Sequence, residues 1–254
     1  MSISVLYFGQ SNRRYALDLI GAYSDGFARR ILPGFDNIEA EATAAAETLF
    51  RDRMNQLAGF DGPDEDEGFA ADDAQEHGFS VYSDLEFVRR QVTGLAIAGL
   101  YHLWERLLKE FLVREFGQFN PPIVPREKVL GAEFRPLVGM LKNQGWEIAK
   151  ESFYLDLDVL RLVVNVVKHG DGKSCQALLT QEPGLFMDFG HPWANKGRGA
   201  DDLRLTGYHF IRFVGATRAF FERFPERLPS PPTSQCEESR PKPPGERSVV
   251  RRRG

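Results

Sequence analysis

From Ser83 to about Phe116 the apolar side chains return with the period of an α-helix. Leu85, Val88, Val92, Leu95, Gly99, Leu103, Leu107 and Phe111 fall on one face. Ser83-x-x-Glu86 is a capping box, so this longest helix is predicted to open there. Ala96, Ala98 and Gly99 leave room for a partner helix, while His102, Glu105 and Lys109 read as rim positions with local salt links. The same period predicts helices over 14–32 and 37–58, joined at Pro33-Gly34. Tyr15, Leu19, Tyr23 and Phe27 line the first, and the Ala-rich run EAEATAAAETLF favours the second. After the Pro-rich connector Asn120 to Pro125, residues 134–144 predict a short helix, with Pro136 tolerable in its first turn. A last helix, Thr206 to Phe224, carries Phe210, Phe213, Val214, Thr217, Phe220, Phe221 and Phe224 on one face, a pattern of core packing. Strand alternation is visible only weakly, at residues 3–8.

The stretch Leu155 to Ser174, LDLDVLRLVVNVVKHGDGKS, departs from this simple two-faced pattern. Leu157, Val159, Leu160, Leu162, Val163, Val164, Val166 and Val167 cover most of the circumference, which is the signature of a buried helix. Asp158, Arg161, Asn165, Lys168 and His169 share one narrow polar stripe. Buried polar groups need partners, so the stripe is either satisfied by neighbouring helices or lines a groove or a subunit interface. Gly170 is placed to take a positive φ and end the helix just after His169. Gly170-Asp171-Gly172 then reads as a turn, with Ser174 capping a short helix through Leu179.

Composition draws the boundaries. The 254 residues carry a net charge of −4, so no global basic field attracts nucleic acid and any such binding is local. Residues 61–78 are acidic and poor in large apolar side chains, with no Lys or Arg between Arg53 and Arg89; they read as a solvated loop. Residues 226–254 are rich in proline, serine and arginine and read as a disordered tail. The expected architecture is therefore all-α: an N-terminal helical hairpin (1–60), the acidic loop, an up-and-down bundle of four to five helices (79–225) and the tail. Cys175 and Cys236 make neither a disulfide framework nor a metal pair. No apolar run has transmembrane length and no signal peptide is visible, so a cytoplasmic protein without membrane contact is expected. GxxxxGK[ST], GxGxxG and GxSxG strings are absent, and His102, His191 and His209 lack zinc-site spacing; neither cofactor nor metal is expected.

The string Asn165-Val166-Val167-Lys168-His169-Gly170, at the end of a helix in an all-helical chain, resembles the signature of the HEPN (higher eukaryotes and prokaryotes nucleotide-binding) superfamily. Leu100 to Leu112, LYHLWERLLKEFL, is similar to that superfamily's first core helix, and the resemblance spans roughly residues 83–224. It implies a homodimer in which two copies of an Arg–Asn…His motif face each other. It also implies one of two roles: a metal-independent endoribonuclease of toxin–antitoxin or antiphage type, or an inactive module that binds RNA or protein. An antitoxin or defence partner belongs to the first. The superfamily's arginine usually precedes the asparagine directly; here that position is Val164, and Arg161 lies one turn earlier on the face of Asn165 and His169. Arg161 either reaches the same site or pairs with Asp158. On this reading His169 transfers protons, Arg161 and Lys168 hold phosphate, and Asn165 orients His169 or a phosphate oxygen. One such histidine per chain leaves a second proton-transfer group to a dimer partner.

Overall fold

The computed structural model describes residues 5–57, 65–191 and 197–229. It is an all-α helical bundle with one two-stranded sheet. A short strand β1 (Val5–Tyr7) leads into α1 (Gln10–Gly26), which ends in a wide π turn over Phe27–Ile31. Then come α2 (Ile38–Leu57), α3 (Glu65–Gly117), α4 (Arg126–Leu130), α5 (Phe134–Asn143), α6 (Tyr154–His169), α7 (Lys173–Gln181) and α8 (Gly207–Arg223). Strand β2 (Arg227–Pro229) closes the described chain, antiparallel to β1 with Leu6 opposite Leu228.

The Phe face of α8 organises the core as its spacing predicts, with Phe210, Phe213, Thr217, Phe220, Phe221 and Phe224 all buried. Phe220 meets the Trp104 ring of α3 at 5.3 Å and Trp146 at 5.2 Å. Trp104 in turn lies 5.7 Å from Phe134, the first residue of α5. On the other side the Phe27 ring packs tilted against Phe210 at 4.4 Å, and the Tyr23 hydroxyl donates to the Ala96 carbonyl at 2.9 Å. The small residues of α3 thus admit α1: a Cβ on Gly99 would overlap the Tyr23 hydroxyl.

Four expectations are corrected. Residues 65–77 form helix rather than loop, and the long helix opens at Glu65, not at Ser83, which lies in its interior beside a Glu86–Arg89 pair. The reason lies in residue size. Ala70, Ala74 and Gly78 make a buried face thin enough to nest on Ala42 and Ala46 of α2, while Asp72, Asp73 and Glu76 take the solvent side. A Cβ at Gly78 would stand 2.9 Å from the Ala46 Cβ. Second, the helical hairpin is α2 with the start of α3. Helix α1 and the π turn after it instead pack into the bundle, through Ala16, Ile20 and Phe27. Third, Val88 and Leu95 of the predicted stripe are exposed, and the core face of α3 is Ile97, Leu100, Trp104 and Leu108. Fourth, residues 226–229 are docked: the Phe8 amide donates to the Glu226 carbonyl at 2.9 Å and Leu228 is buried beside the aromatic cluster. The rest of the expected tail, 230–254, lies outside the described residues. A smaller revision concerns α7, whose N-cap is Gly172, not Ser174.

The start of α8 carries a pH-dependent contact. The Thr206 amide donates to His209 Nδ1 at 3.1 Å, which requires that nitrogen to be unprotonated. Burial pushes the His209 imidazole below its ordinary value, with Arg212 adding to the effect and Glu182 opposing it. Because the unfolded chain takes up this proton first, the contact's contribution is complete above about pH 6.5 and is lost as pH falls toward the folded value. Melting temperature is expected to drop between about pH 7 and about pH 5. In His209→Gln, whose amide oxygen accepts the same bond at any pH, that part of the slope should vanish; an unchanged slope would place the titration elsewhere.

Candidate functional site

Helix α6 is held at both ends. At its start Asp156 accepts two hydrogen bonds from Arg212 of α8, at 2.9 and 2.6 Å, and Arg212 also holds Glu182 at 2.7 Å. The bond to Glu182 and then those to Asp156 keep the Arg212 guanidinium above its ordinary value, against the cost of burial. At its end Gly170 adopts φ +67° and donates to the Val166 carbonyl at 2.8 Å, as a helix-terminating glycine should. Between these anchors Leu157, Leu160, Val163, Val164 and Val166 are buried. The polar stripe is neither sealed inside nor spread over a free surface. It forms one wall of a cleft of about 570 Å³.

Helix α6 contributes Arg161, Val164, Asn165, Lys168 and His169 to that cleft, so the four sequence-derived site residues are brought together. Helix α3 lines it as well, through Tyr101, His102 and Glu105. The start of α5 supplies Glu133, Phe134 and Arg135, and α7 supplies Ser174. The α3 wall was underrated by sequence reasoning. Its salt links exist as expected, with Glu105 Oε1 3.1 Å from Lys109 Nζ and Oε2 3.5 Å from His102 Nδ1. His102 and Glu105 line the cleft, however, and are not a passive rim. The signal was present in the sequence: three polar residues at i, i+3 and i+7 interrupt the face of a helix otherwise filled with large apolar side chains.

Of the two alternatives for Arg161, pairing with Asp158 is the one observed, its Nε and Nη2 lying 2.8 and 2.7 Å from the same carboxylate oxygen. The guanidinium also sits over the Phe134 ring, 5.7 Å from its centroid. Two contacts on one edge fix its orientation. Nη1 makes no further hydrogen bond among the described residues, and Arg161 still lines the cavity. Val164 is buried and lines the same cleft as Arg161. Burial, with Glu105 adding and Arg161 opposing, pushes the Tyr101 phenol well above its ordinary value; it remains a neutral donor. Lys168 and His169 are exposed at the cleft mouth, and Asn165 is half-buried between them and Arg161.

No family model, curated protein or solved structure matches this chain.

The cleft itself is therefore the guide to function. Its ionisable lining mixes Arg135, Arg161 and Lys168 with Glu105, Glu133 and two imidazoles, which suits a polar, partly anionic ligand more than an apolar one. Among the described residues no group of three or more His, Cys, Asp or Glu is arranged to hold a metal ion, and no described helix is long and apolar enough to cross a membrane.

Proposed function

We propose that the cleft between α3 and α6 binds single-stranded RNA and cleaves it by attack of a ribose 2′-hydroxyl on the adjacent phosphorus, without a catalytic metal. The observation that supports this most is the convergence of His169, Asn165, Lys168 and an oriented Arg161 on one cavity wall. Such a reaction needs proton transfer near neutral pH and positive charge around the phosphate. An imidazole suits the first, and a guanidinium with a nearby ammonium suits the second. Asn165, one turn before His169, is placed to orient the imidazole or a phosphate oxygen. A homodimer that pairs two α6 ends, and an antitoxin or defence partner that covers the cleft, belong to the same reading and rest on the HEPN resemblance alone.

One observation favours a second reading, an RNA- or protein-binding module without turnover. The position of the usual arginine is occupied by Val164, and Arg161 is engaged with Asp158. The two readings separate in one experiment: wild-type protein incubated with labelled single-stranded RNA in excess EDTA. Cleavage supports the nuclease; binding without cleavage leaves the module. Neither binding nor cleavage overturns both.

A further inference from the structure

We propose that His102 is the second proton-transfer group of this site, supplied by the same chain, with Glu105 as its positioning residue. The inference rests on the RNA-cleaving reading of the cleft. Its starting point is that His102 and His169 line one cavity from two different helices, α3 and α6. The two imidazoles are not equivalently supported. His169 stands at a helix end, whereas His102 is backed by a carboxylate: Nδ1 lies 3.5 Å from Glu105 Oε2, and Lys109 holds the other oxygen at 3.1 Å. The His102 side chain is 48% exposed, while Glu105 and Lys109 beneath it are 20% and 16% exposed. A carboxylate accepts only, so a His102 proton shared with Glu105 sits on Nδ1, and Nε2 is the nitrogen left to exchange a proton with a ligand. The charged and titratable groups sharing the cavity with His102 are Tyr101 and Glu105 on α3, Glu133 and Arg135 at α5, and Arg161, Lys168 and His169 on α6.

The reaction balances with these two groups alone. One imidazole takes the proton of the 2′-hydroxyl as that oxygen bonds to phosphorus. The P–O5′ bond breaks, and the departing 5′-oxygen takes a proton from the other ring, which starts as imidazolium. The products are a 2′,3′-cyclic phosphate and a 5′-hydroxyl, and one proton has passed between the rings' pools with no change of oxidation state. Exchange with solvent restores the starting forms. A two-fold partner is then not required to supply the second histidine.

The test uses the full chain with single-stranded RNA. His102→Gln is expected to lower kcat about 10²–10⁴-fold and to remove one limb of a bell-shaped pH–rate profile; His169→Gln removes the other. Glu105→Gln should shift the His102 limb with KM unchanged, which a purely structural glutamate would not do. Mixing the His102→Gln and His169→Gln proteins should restore nothing, because each site is built within one chain. A folding-independent check uses wild type alone: adding an uncleavable all-2′-deoxy oligonucleotide should shift the imidazole NMR signals of both histidines. Normal cleavage by His102→Gln alongside a silent His169→Gln, or a shift of His169 alone, would overturn the role of His102; recovery on mixing would overturn its supply by the same chain; each leaves the cleft reading standing. A wild type that cuts no RNA would overturn both.

Discussion

Replacing His169 by alanine is expected to lower RNA cleavage about 10²–10⁴-fold while leaving the fold intact. The side chain occupies the last turn of α6 and is exposed, so its removal opens no cavity. The helix still ends at Gly170, whose positive φ and bond to Val166 do not involve the imidazole. A loss confined to kcat, with RNA affinity kept, would mark a proton-transfer group. Loss of affinity with kcat kept would reassign His169 to phosphate binding. Melting curves of the variant serve as the control, and a shift of several degrees would mean that the residue also has a structural task.

The largest stability effect should come from Phe220→Ala, expected to cost about 3–5 kcal/mol. Phe220 is fully buried, and its ring meets Trp104, Trp146, Phe221 and Phe224 at 4.9 to 5.6 Å. Helix α3, the connector between α5 and α6, and the end of α8 converge there, so the cavity cannot close by moving one side chain. The damage also has a route to the cleft. Trp104 bridges Phe220 to Phe134, and Phe134 lies beneath the Arg161 guanidinium. Urea unfolding should show a lower midpoint with an unchanged slope. A loss below about 1 kcal/mol would mean that the aromatic cluster repacks freely, contrary to the density of this core.

The parts of this fold legible in sequence are those where burial is carried by large side chains. Helices α6 and α8 begin and end within a residue or so of their expected bounds, because valine, leucine and phenylalanine periodicity and Gly170 mark them unambiguously. Where burial is carried by small side chains the pattern is silent. Ala70, Ala74 and Gly78 bury against α2 as firmly as any leucine elsewhere, yet set among acidic residues they resemble loop composition. Strand β2 was hidden for a related reason: its three residues have no period to show, and only a non-local pairing with β1 orders them. The cleft followed the same logic. The α6 stripe was visible because charge interrupts an otherwise apolar surface, and His102 with Glu105 interrupts α3 in the same way. What the sequence could not show is that these two interruptions line one cavity, since that depends on how α3 and α6 pack.

The identity of the ends left on cleaved RNA bears most directly on the central claim, that a metal-free cleft of imidazoles, guanidinium and ammonium uses the ribose 2′-hydroxyl as its nucleophile. Wild-type protein in EDTA should leave 2′,3′-cyclic phosphate and 5′-hydroxyl ends, and should not cut the same sequence as DNA. Fragments ending in 3′-hydroxyl and 5′-phosphate, or cleavage that stops when EDTA is added, would contradict it.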